Sequence, residues 1–326
     1  MIHSPNKPFV ESLKHVRYPD GGTLLRAVGD PIDMLVDNFY REMVGYIVEL
    51  RCDQESNRTD AVPMGTVFFL TVPHGQGHYA YMVTCRHLIE PDRVGVYPPL
   101  FVRVNLIDGT FKDIPISRDE WIKSETSDIA IAPMRLDPKV YRYFCYPILE
   151  VQGWSFRQPV PGDQIFMTGL FVSKPGENSV QALVRSGTVA RENVREDIEV
   201  DLSTSKRLNA TVHLIEARSW GGESGSPVFS YRQKTEMRHP FPVPPPYIMD
   251  QPTIQTHYEP QMMGMLQGHY HVPGHNYENE TANSGIAIVV PVQQILGMLK
   301  DDPRFVSDRE EREERAAQKR KGPIAI

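Results

Sequence analysis

The sequence predicts an all-β fold, either a sandwich or a barrel. Short apolar runs of strand length recur about every 10–25 residues, and clusters of Gly, Pro, Asn and Asp separate them. Long amphipathic helices, which alternate with the strands of an α/β fold, do not occur between these runs. Typical runs are MVGYIVEL, GTVFFLTV, YAYMVTC, DIAIAPM, QMMGMLQG and SGIAIVVPV.

Composition and charge narrow the class of protein. The chain of 326 residues is 40% hydrophobic, which is enough to bury a substantial core. Its formal net charge of −6 gives no support to a nucleic-acid partner, because phosphate recognition normally needs a basic excess or patch. No apolar run is long enough for a membrane span, and the N-terminal residues lack the pattern of a signal peptide. We therefore expect a cytoplasmic location without membrane association.

The cysteines support this expectation. Cys52, Cys85 and Cys145 are odd in number and widely spaced. Secreted domains often carry paired cysteines as a disulfide framework. We interpret these three as reduced thiols.

The N-terminal region precedes the strand pattern. Residues 1–29 show no periodicity, and a helix is predicted over residues 30–44. Asp30 can cap this helix and Pro31 suits its first turn, while the apolar residues that follow share one face. Residues 1–43 are therefore predicted to be an extension with a helix, placed before the β-domain.

Segments of biased composition follow in the C-terminal half. Residues 232–260 contain HPFPVPPPYIMDQP, and because each proline removes a hydrogen-bond donor, we predict a long loop inserted in the β-domain. VQQILGML, at residues 292–299, has the pattern of a short packed helix that closes the domain. Residues 301–326 form a charged tail, which is either a solvated helix with Glu–Arg pairs or disordered. The loop and the tail either dock a regulatory protein partner or are a tolerated insertion and a solubilising end.

The strongest chemical signal is GGESGSP, at residues 221–227. Glycines allow a tight turn, in which backbone N–H groups can point at a substrate carbonyl. A serine in such a turn becomes a nucleophile when a base accepts its proton and when donors stabilise the oxyanion. The N–H groups of Gly222 and Ser224 would be these donors. On its own, the heptapeptide is equally compatible with a flexible turn.

Two further motifs place a base and an acid at the ends of predicted strands. In YMVTCRHLIE a strand-like run ends just before His87, and in TSDIAIAPM Asp128 opens an apolar run. Taken alone, His87 fits a surface or core histidine, and Asp128 fits a strand start or a helix cap. Asp128 follows His87 by 41 residues, and Ser224 follows Asp128 by 96 residues.

Together these motifs resemble the trypsin-like (chymotrypsin-fold) serine proteases, in particular their compact bacterial members. TCRH is similar to the family's histidine motif, SDIAI to its aspartate motif and GESGSP to its serine motif, in the family's order of His, Asp and Ser. The resemblance covers residues 44–300. It implies two six-stranded barrels, at about residues 44–150 and 151–300, with the active site in the cleft between them.

The resemblance also assigns roles to three residues. His87 would take the proton of Ser224 and later give it to the leaving amine, while Asp128 would fix the histidine tautomer. The implied activity is that of a serine endopeptidase acting on a protein or peptide substrate, without a cofactor or a metal ion. Such an enzyme would cut few partners, since unrestricted proteolysis inside a cell is harmful.

The sequence departs from the family's pattern at several positions. Arg86 stands where a small residue is more usual, and Glu223 and Ser226 replace the commoner Asp and Gly. In secreted members, cleavage creates a new N-terminus that pairs with this Asp. Because a long extension precedes the β-domain here, we expect no such activation.

The resemblance implies a substrate pocket whose preference stays open. Its walls would be Arg218, Ser219 and Trp220 on one side and Gln267, Gly268 and His269 on the other. A buried Arg218 would favour an acidic substrate side chain, whereas an outward-pointing Arg218 would contribute nothing to selectivity.

Parts of the sequence are also compatible with other chemistries. HYHVPGH, at residues 269–275, could bind zinc, although no further ligands accompany its histidines at a standard spacing. Cys85 could act as a nucleophile, but it has no oxyanion turn and is interpreted as a packed core thiol. The chain could also be an esterase on the same fold, or a catalytically silent domain that works as a binding or sensor module.

Overall fold

The structure, a computed structural model, describes most of the chain. The described residues are 15–17, 23–25, 38–53, 58–75, 77–90, 98–148, 158–201, 205–218, 221–238, 253–273 and 281–320. The chain divides into two compact units, of which the larger comprises residues 36–231 and 260–326 and the smaller residues 1–35 and 232–259. In the smaller unit, β1 (His15–Arg17) and β2 (Thr23–Leu25) form an antiparallel two-stranded sheet.

An eight-stranded sheet forms the first half of the larger unit, after the short helix α1 (Asn38–Glu42). Its strands are β3 (Val44–Asp53), β4 (Arg58–His74), β5 (Gly77–Thr84), β6 (Leu100–Asn105), β7 (Phe111–Ile116), β8 (Ile122–Lys123), β9 (Ala130–Pro133) and β10 (Tyr146–Pro147). They follow the order β7-β6-β3-β4-β5-β9-β8, and β10 lies beside β4 in parallel. The resemblance implied six strands here, and the additional β8 and β10 are pairings of only two residues each.

A closed barrel of six strands follows this sheet in the chain. Its strands are β11 (Gln164–Leu170), β12 (Ala182–Asp201), β13 (Lys206–Glu216), β14 (Pro227–Arg238), β15 (Thr253–Pro273) and β16 (Thr281–Pro291). They close in the order β11-β12-β13-β16-β15-β14, so that no strand of this barrel is left as an edge. The predicted all-β class is therefore confirmed. Of the two predicted alternatives, a sandwich and a barrel, these six strands form a barrel.

One hydrophobic cluster joins the sheet to the barrel within the larger unit. The rings of Phe166 and Phe229, from two barrel strands, stack with centroids 4.9 Å apart. Tyr40 of α1 meets both rings edge-on, at 5.0 Å and 4.8 Å. Aromatic pairs in these geometries add stabilisation beyond the apolar area they bury. Side chains carried by the two sheets are consequently held in a fixed relation to each other.

Two helices end the described chain, α2 (Val292–Asp301) and α3 (Pro303–Arg320). The short closing helix predicted from VQQILGML is α2, which buries Ile295 and Leu299. The sequence is compatible with either a helix or a disordered segment over the charged tail, and most of this tail is α3. Its first turns pack against β5, where the Phe305 ring meets the Tyr81 ring edge-on at 5.5 Å. Among the described residues, no helix combines the length and the apolar composition needed to cross a membrane.

The structure corrects the predictions made for the Pro-rich loop and for the N-terminal helix. The loop expected over residues 232–260 is wrong at both ends, because β14 continues to Arg238 and β15 begins at Thr253. The segment YRQKTEMR contains no proline and keeps its donors for the strand. The proline cluster itself lies outside the described residues. Of the helix expected over residues 30–44, the portion from residue 38 is described, as α1. The predicted end at residue 44 is wrong, because α1 ends at Glu42 and Val44 begins β3.

Candidate active site

The register of the first sheet places His87 beside Asp128. β5 and β9 are antiparallel, with Thr84 opposite Ala130, so that the end of one strand meets the start of the other. A one-turn helix at Arg86–Leu88 follows β5 and carries His87. Asp128 lies two residues before β9. Residues that are far apart in sequence therefore meet at one edge of the sheet.

Asp128 holds His87 by two hydrogen bonds. The imidazole Nδ1 lies 2.7 Å from Asp128 Oδ2, and the backbone N–H of His87 donates to Oδ1 at 3.0 Å. The carboxylate is fully buried, whereas the imidazole is 11% exposed. Because an ionised carboxylate only accepts hydrogen bonds, the proton of the neutral ring lies on Nδ1. This tautomer leaves Nε2 as an acceptor, as a general base requires.

Arg86 connects the histidine turn to the segment that leads to Asp128. Its buried guanidinium donates to the backbone oxygen of Ser124 at 2.8 Å through Nη1. Its Nε lies 3.3 Å from the carboxylate of Glu90, which balances the charge. The sequence marked Arg86 only as larger than usual for this position. In the structure the long Arg86 side chain reaches from the histidine turn to the segment that precedes Asp128.

The serine turn lies between the sheet and the barrel. The backbone oxygen of Ser224 accepts from the N–H of Thr66 in β4 at 2.8 Å, and Gly225 N–H donates to Leu266 of β15 at 2.8 Å. Gly225 has a φ of +90°, and a Cβ there would lie 1.9 Å from the Thr66 oxygen, so only glycine fits. The hydroxyl of Ser224 donates to the backbone oxygen of Gln267 at 2.9 Å.

Thr66 is a further residue of this site, which sequence reasoning missed. Its buried hydroxyl donates to the Gly222 oxygen at 3.0 Å and accepts from the N–H of Leu170 at 3.1 Å. It therefore ties the start of the serine turn to the first sheet. Gly222 is buried, with a φ of +95°, so the turn approaches Ser224 in a conformation that favours glycine. A threonine in an apolar strand carries no sequence signal for such a role.

Replacement of Thr66 by Val is expected to lower the free energy of unfolding by about 2 kcal/mol. Valine keeps the shape but leaves a buried carbonyl and a buried N–H without this partner. Urea unfolding followed by tryptophan fluorescence would measure the change. Thr71→Val, in the same strand at a half-buried position, is the control and is expected to change stability by less than about 0.5 kcal/mol. Equal stability of the two variants would contradict the role of the Thr66 hydroxyl.

The predicted substrate pocket is only partly described. Ser219 and Trp220 lie outside the described residues, and Arg218 is exposed. An acidic preference needs a buried cation, so the exposed Arg218 gives that preference no support. Gln267 donates from Nε2 to the Glu199 oxygen of β12 at 3.2 Å. A Cβ at Gly268 would meet no described atom within 4 Å, and His269 is half-buried.

Cys85 lies beside the His–Asp pair. Its thiol is fully buried and donates to the Leu266 oxygen at 3.3 Å. Potential ligand atoms of Cys85, His87 and Asp128 all lie within 4.8 Å of one another. Burial, followed by the negative charge of Asp128, raises the pKa of the thiol well above its usual range. A thiol kept protonated is a poor nucleophile and a poor metal ligand, so we interpret Cys85 as a packing residue. Of HYHVPGH, the side chains of residues 271–275 are outside the described part.

This fold, a sheet and a barrel of antiparallel strands with the serine turn between them, is the chymotrypsin fold. Residues 65–235 match the family model of the trypsin-like peptidase domain, and the chain belongs to that family. A comparison with curated protein sequences finds no significant match.

Solved structures with a similar fold come from diverse sources. The protease domain of MamO from Magnetospirillum magneticum is 16% identical, with a TM-score of 0.46, over 81% of this chain and 98% of that one. A point mutant of the tobacco etch virus protease is 12% identical, with a TM-score of 0.41, over 85% and 84%. A mutant of human heparin binding protein is 10% identical, with a TM-score of 0.41, over 80% and 92%.

Proposed function

We propose that this protein is a serine endopeptidase in which Ser224 is the nucleophile, His87 the general base and Asp128 the residue that orients the base. The observation that carries this proposal is the pair of hydrogen bonds, at 2.7 Å and 3.0 Å, between His87 and the buried Asp128 carboxylate. They hold an imidazole whose Nε2 can accept a proton at the edge of the sheet that also anchors the serine turn. Membership of the trypsin-like peptidase family supports a protein or peptide substrate.

The proposed reaction is an acyl transfer through Ser224. The Ser224 hydroxyl leaves the Gln267 oxygen and gives its proton to His87 Nε2 as its oxygen attacks the scissile carbonyl. The N–H groups of Gly222 and Ser224 stabilise the oxyanion. Asp128 stabilises the imidazolium, which then protonates the leaving amine and leaves an acyl-enzyme on Ser224. Water, deprotonated by His87, releases the acid product.

A second candidate is a catalytically silent domain that binds protein partners. The hydrogen bond from Ser224 to the Gln267 oxygen at 2.9 Å favours it, because a hydroxyl held there does not donate to the base. The bond is a single contact to a carbonyl, and a rotation about the Cα–Cβ bond of the serine breaks it. The reactivity of the Ser224 hydroxyl toward a chemical probe therefore distinguishes a catalytic serine from a silent one.

Labelling with a fluorophosphonate probe is the direct test. We expect the wild-type protein to be labelled at Ser224, and both Ser224→Ala and His87→Ala to lose the label. Ser186→Ala, at an exposed serine of β12, is the matched control and should label like wild type. Failure of the folded wild type to react would overturn the endopeptidase and favour the silent module. Turnover of amide as well as ester substrates would separate a peptidase from an esterase.

A further inference from the structure

We propose that Arg118 is a positioning residue, which holds the turn that carries His87 through the backbone oxygen of Ile89. This inference rests on the proposed function, because it concerns the residue that acts there as the general base. Arg118 follows His87 by 31 residues in the sequence and belongs to none of the three motifs. It reaches the histidine turn from a separate part of the first sheet's connections, between β7 and β8.

The guanidinium of Arg118 joins three acceptors from different parts of the chain. Its Nη1 donates to the backbone oxygen of Ile89. Its Nη2 donates to Glu49 Oε1 at 2.6 Å and to the backbone oxygen of Pro98 at 3.3 Å. The planar, rigid fork of an arginine suits such simultaneous bonds. Because the Arg118 side chain is only 12% exposed, these bonds are largely shielded from water.

Glu49 supplies the negative charge that Arg118 needs inside the fold. Its carboxylate is 3% exposed and belongs to β3, where Glu49 lies opposite Leu100 of β6. A buried cation is tolerated when a carboxylate accompanies it, so Glu49 both neutralises and orients the guanidinium. The second carboxylate oxygen lies 3.3 Å from Nη2 of the exposed Arg51. Glu49 therefore keeps a cationic partner when Arg118 is replaced, and the replacement tests the bond to Ile89.

A well-defined local structure carries Arg118. It is the first residue of a one-turn helix that ends at Glu120 and begins with a capping box at Ser117. The backbone N–H of Ser117 donates to Glu120 Oε1 at 3.0 Å. After the helix, the N–H of the buried Trp121 donates to the Arg118 oxygen at 3.3 Å. The backbone from which the guanidinium extends is thus fixed on both sides.

The backbone of Ile89 closes the turn that carries His87. Its N–H donates to the Arg86 oxygen at 2.9 Å, and its own oxygen accepts from Arg118. The backbone N–H of His87, inside the same turn, donates to Asp128 Oδ1 at 3.0 Å. A shift of Ile89 would therefore change how the imidazole meets Asp128. Because a displacement of about 1 Å can lower a rate about a hundredfold, we expect the effect on kcat more than on KM.

The kinetic test compares Arg118→Met, Arg118→Lys and Glu49→Gln with wild type. We expect Arg118→Met to lower kcat and the fluorophosphonate labelling rate at least about tenfold, with KM nearly unchanged. Arg118→Lys keeps the charge without the fork, so its kcat should lie between those of Arg118→Met and wild type. Arg135→Met is the matched control and should behave as wild type, because Arg135 is ion-paired but exposed.

Glu49→Gln keeps the size of the side chain and provides the test if Arg118→Met does not fold. It removes the charge from the bond to Arg118, so kcat should fall by a smaller factor, about threefold. Added to Arg118→Met, it should lower kcat no further, because both residues act through the same contact. Independent, multiplying effects of the two substitutions would contradict a shared role.

The proton NMR signal of His87 Nδ1–H provides a readout that does not depend on catalysis. The proton lies in a hydrogen bond of 2.7 Å to Asp128, and His87→Ala identifies its downfield signal by its loss. Arg118→Met should shift or broaden this signal while urea unfolding stays cooperative. A lower kcat with an unchanged signal would contradict the inference, because the effect would not pass through His87.

The two proposals fail in different ways. A labelled wild type, together with an Arg118→Met variant of equal kcat and equal imidazole signal, would overturn this inference and leave the proposed function intact. A folded wild type that is not labelled would overturn the proposed function. The imidazole signal would then still decide whether Arg118 positions His87.

Discussion

Replacement of Asp128 by Asn is expected to lower kcat about ten-thousand-fold while leaving the fold unchanged. The two side chains have the same size, so packing around the fully buried position is preserved. What changes is the hydrogen-bonding capacity, because an amide carries one acceptor and one donor group where the carboxylate carried two acceptors. The expected loss of activity comes from the tautomer that His87 is forced to adopt, and not from the missing negative charge alone.

The geometry at Asp128 dictates how the asparagine orients. The backbone N–H of His87 needs an acceptor at 3.0 Å, so the amide oxygen takes the place of Oδ1. The NH₂ group then faces Nδ1, at the position where Oδ2 lies 2.7 Å away. Nδ1 must become an acceptor, which moves the ring proton to Nε2. A histidine protonated at Nε2 cannot take the proton of Ser224.

Steady-state hydrolysis of a peptide substrate, with the labelling rate as a second measure, would test this expectation. Asp108→Asn is the matched control, because Asp108 is an exposed residue in the turn between β6 and β7. It should retain wild-type kcat. Part of the activity of Asp128→Asn should return at high pH, where hydroxide can deprotonate the serine. A loss of less than about tenfold would show that His87 does not depend on Asp128 for its tautomer.

The three motifs could be recognised in the sequence because each contains residue types that its local backbone conformation or its position at a strand end requires. GGESGSP concentrates glycines where positive φ angles occur, at Gly222 and Gly225. His87 and Asp128 each stand where an apolar run meets a polar turn. Their meeting in space depends on the pairing of β5 with β9, and no local pattern encodes that register. Only the resemblance to a known family supplied it.

Strands with few apolar residues were missed for a physical reason. β12 is the longest element of the barrel after β15, yet no strand was predicted there. Its buried residues include Val189 and Ile198, but register shifts between them interrupt the alternation with a period of two. β7 pairs with β6 near the edge of its sheet, and none of its residues is fully buried. The alternation of apolar and polar residues indicates a strand only where one face is regularly buried, so a strand that is exposed or bulged is not detected from the sequence.

Residues that support the site were missed because their roles are long-range. Thr66 precedes Ser224 by more than a hundred residues. Its hydroxyl acts through buried hydrogen bonds, donating to the Gly222 oxygen and accepting from the Leu170 N–H. Arg86 was noticed as a departure from the family, but its bond to the Ser124 oxygen could not be foreseen. Motifs identify groups that react, whereas supporting residues are defined by the packed structure.

The stability of the protein is expected to fall by about 3 kcal/mol between pH 7 and pH 4 through His213 alone. His213 is fully buried in β13, and burial lowers the pKa of its imidazole from 6.5 to about 4. Its Nδ1 accepts from the N–H of Asn193 at 3.2 Å. Asn193 has a φ of 50° and lies where β12 shifts register against β13, so the histidine satisfies a donor that the bulge removes from the ladder.

The sign of this effect follows from proton binding. Above pH 6.5 the imidazole is neutral in both states, and the folded protein keeps its full stability. As the pH falls from 6.5 to about 4, the unfolded chain binds a proton that the folded chain does not, which favours unfolding. Protonation of the folded state would place an N–H on Nδ1 against the Asn193 N–H. Below about pH 4 both states are protonated at this residue and the loss levels off.

His213→Asn isolates this contribution from the carboxylates that titrate in the same range. Asparagine can offer its amide oxygen to the Asn193 N–H and does not titrate, although it is smaller than histidine. Urea unfolding of both proteins at pH 7 and pH 4 would give the difference in stability at each pH. We expect wild type to be the more stable at pH 7 and to lose about 3 kcal/mol more than the variant on acidification. A difference that stays constant with pH would mean that the buried imidazole is protonated as readily as a free one.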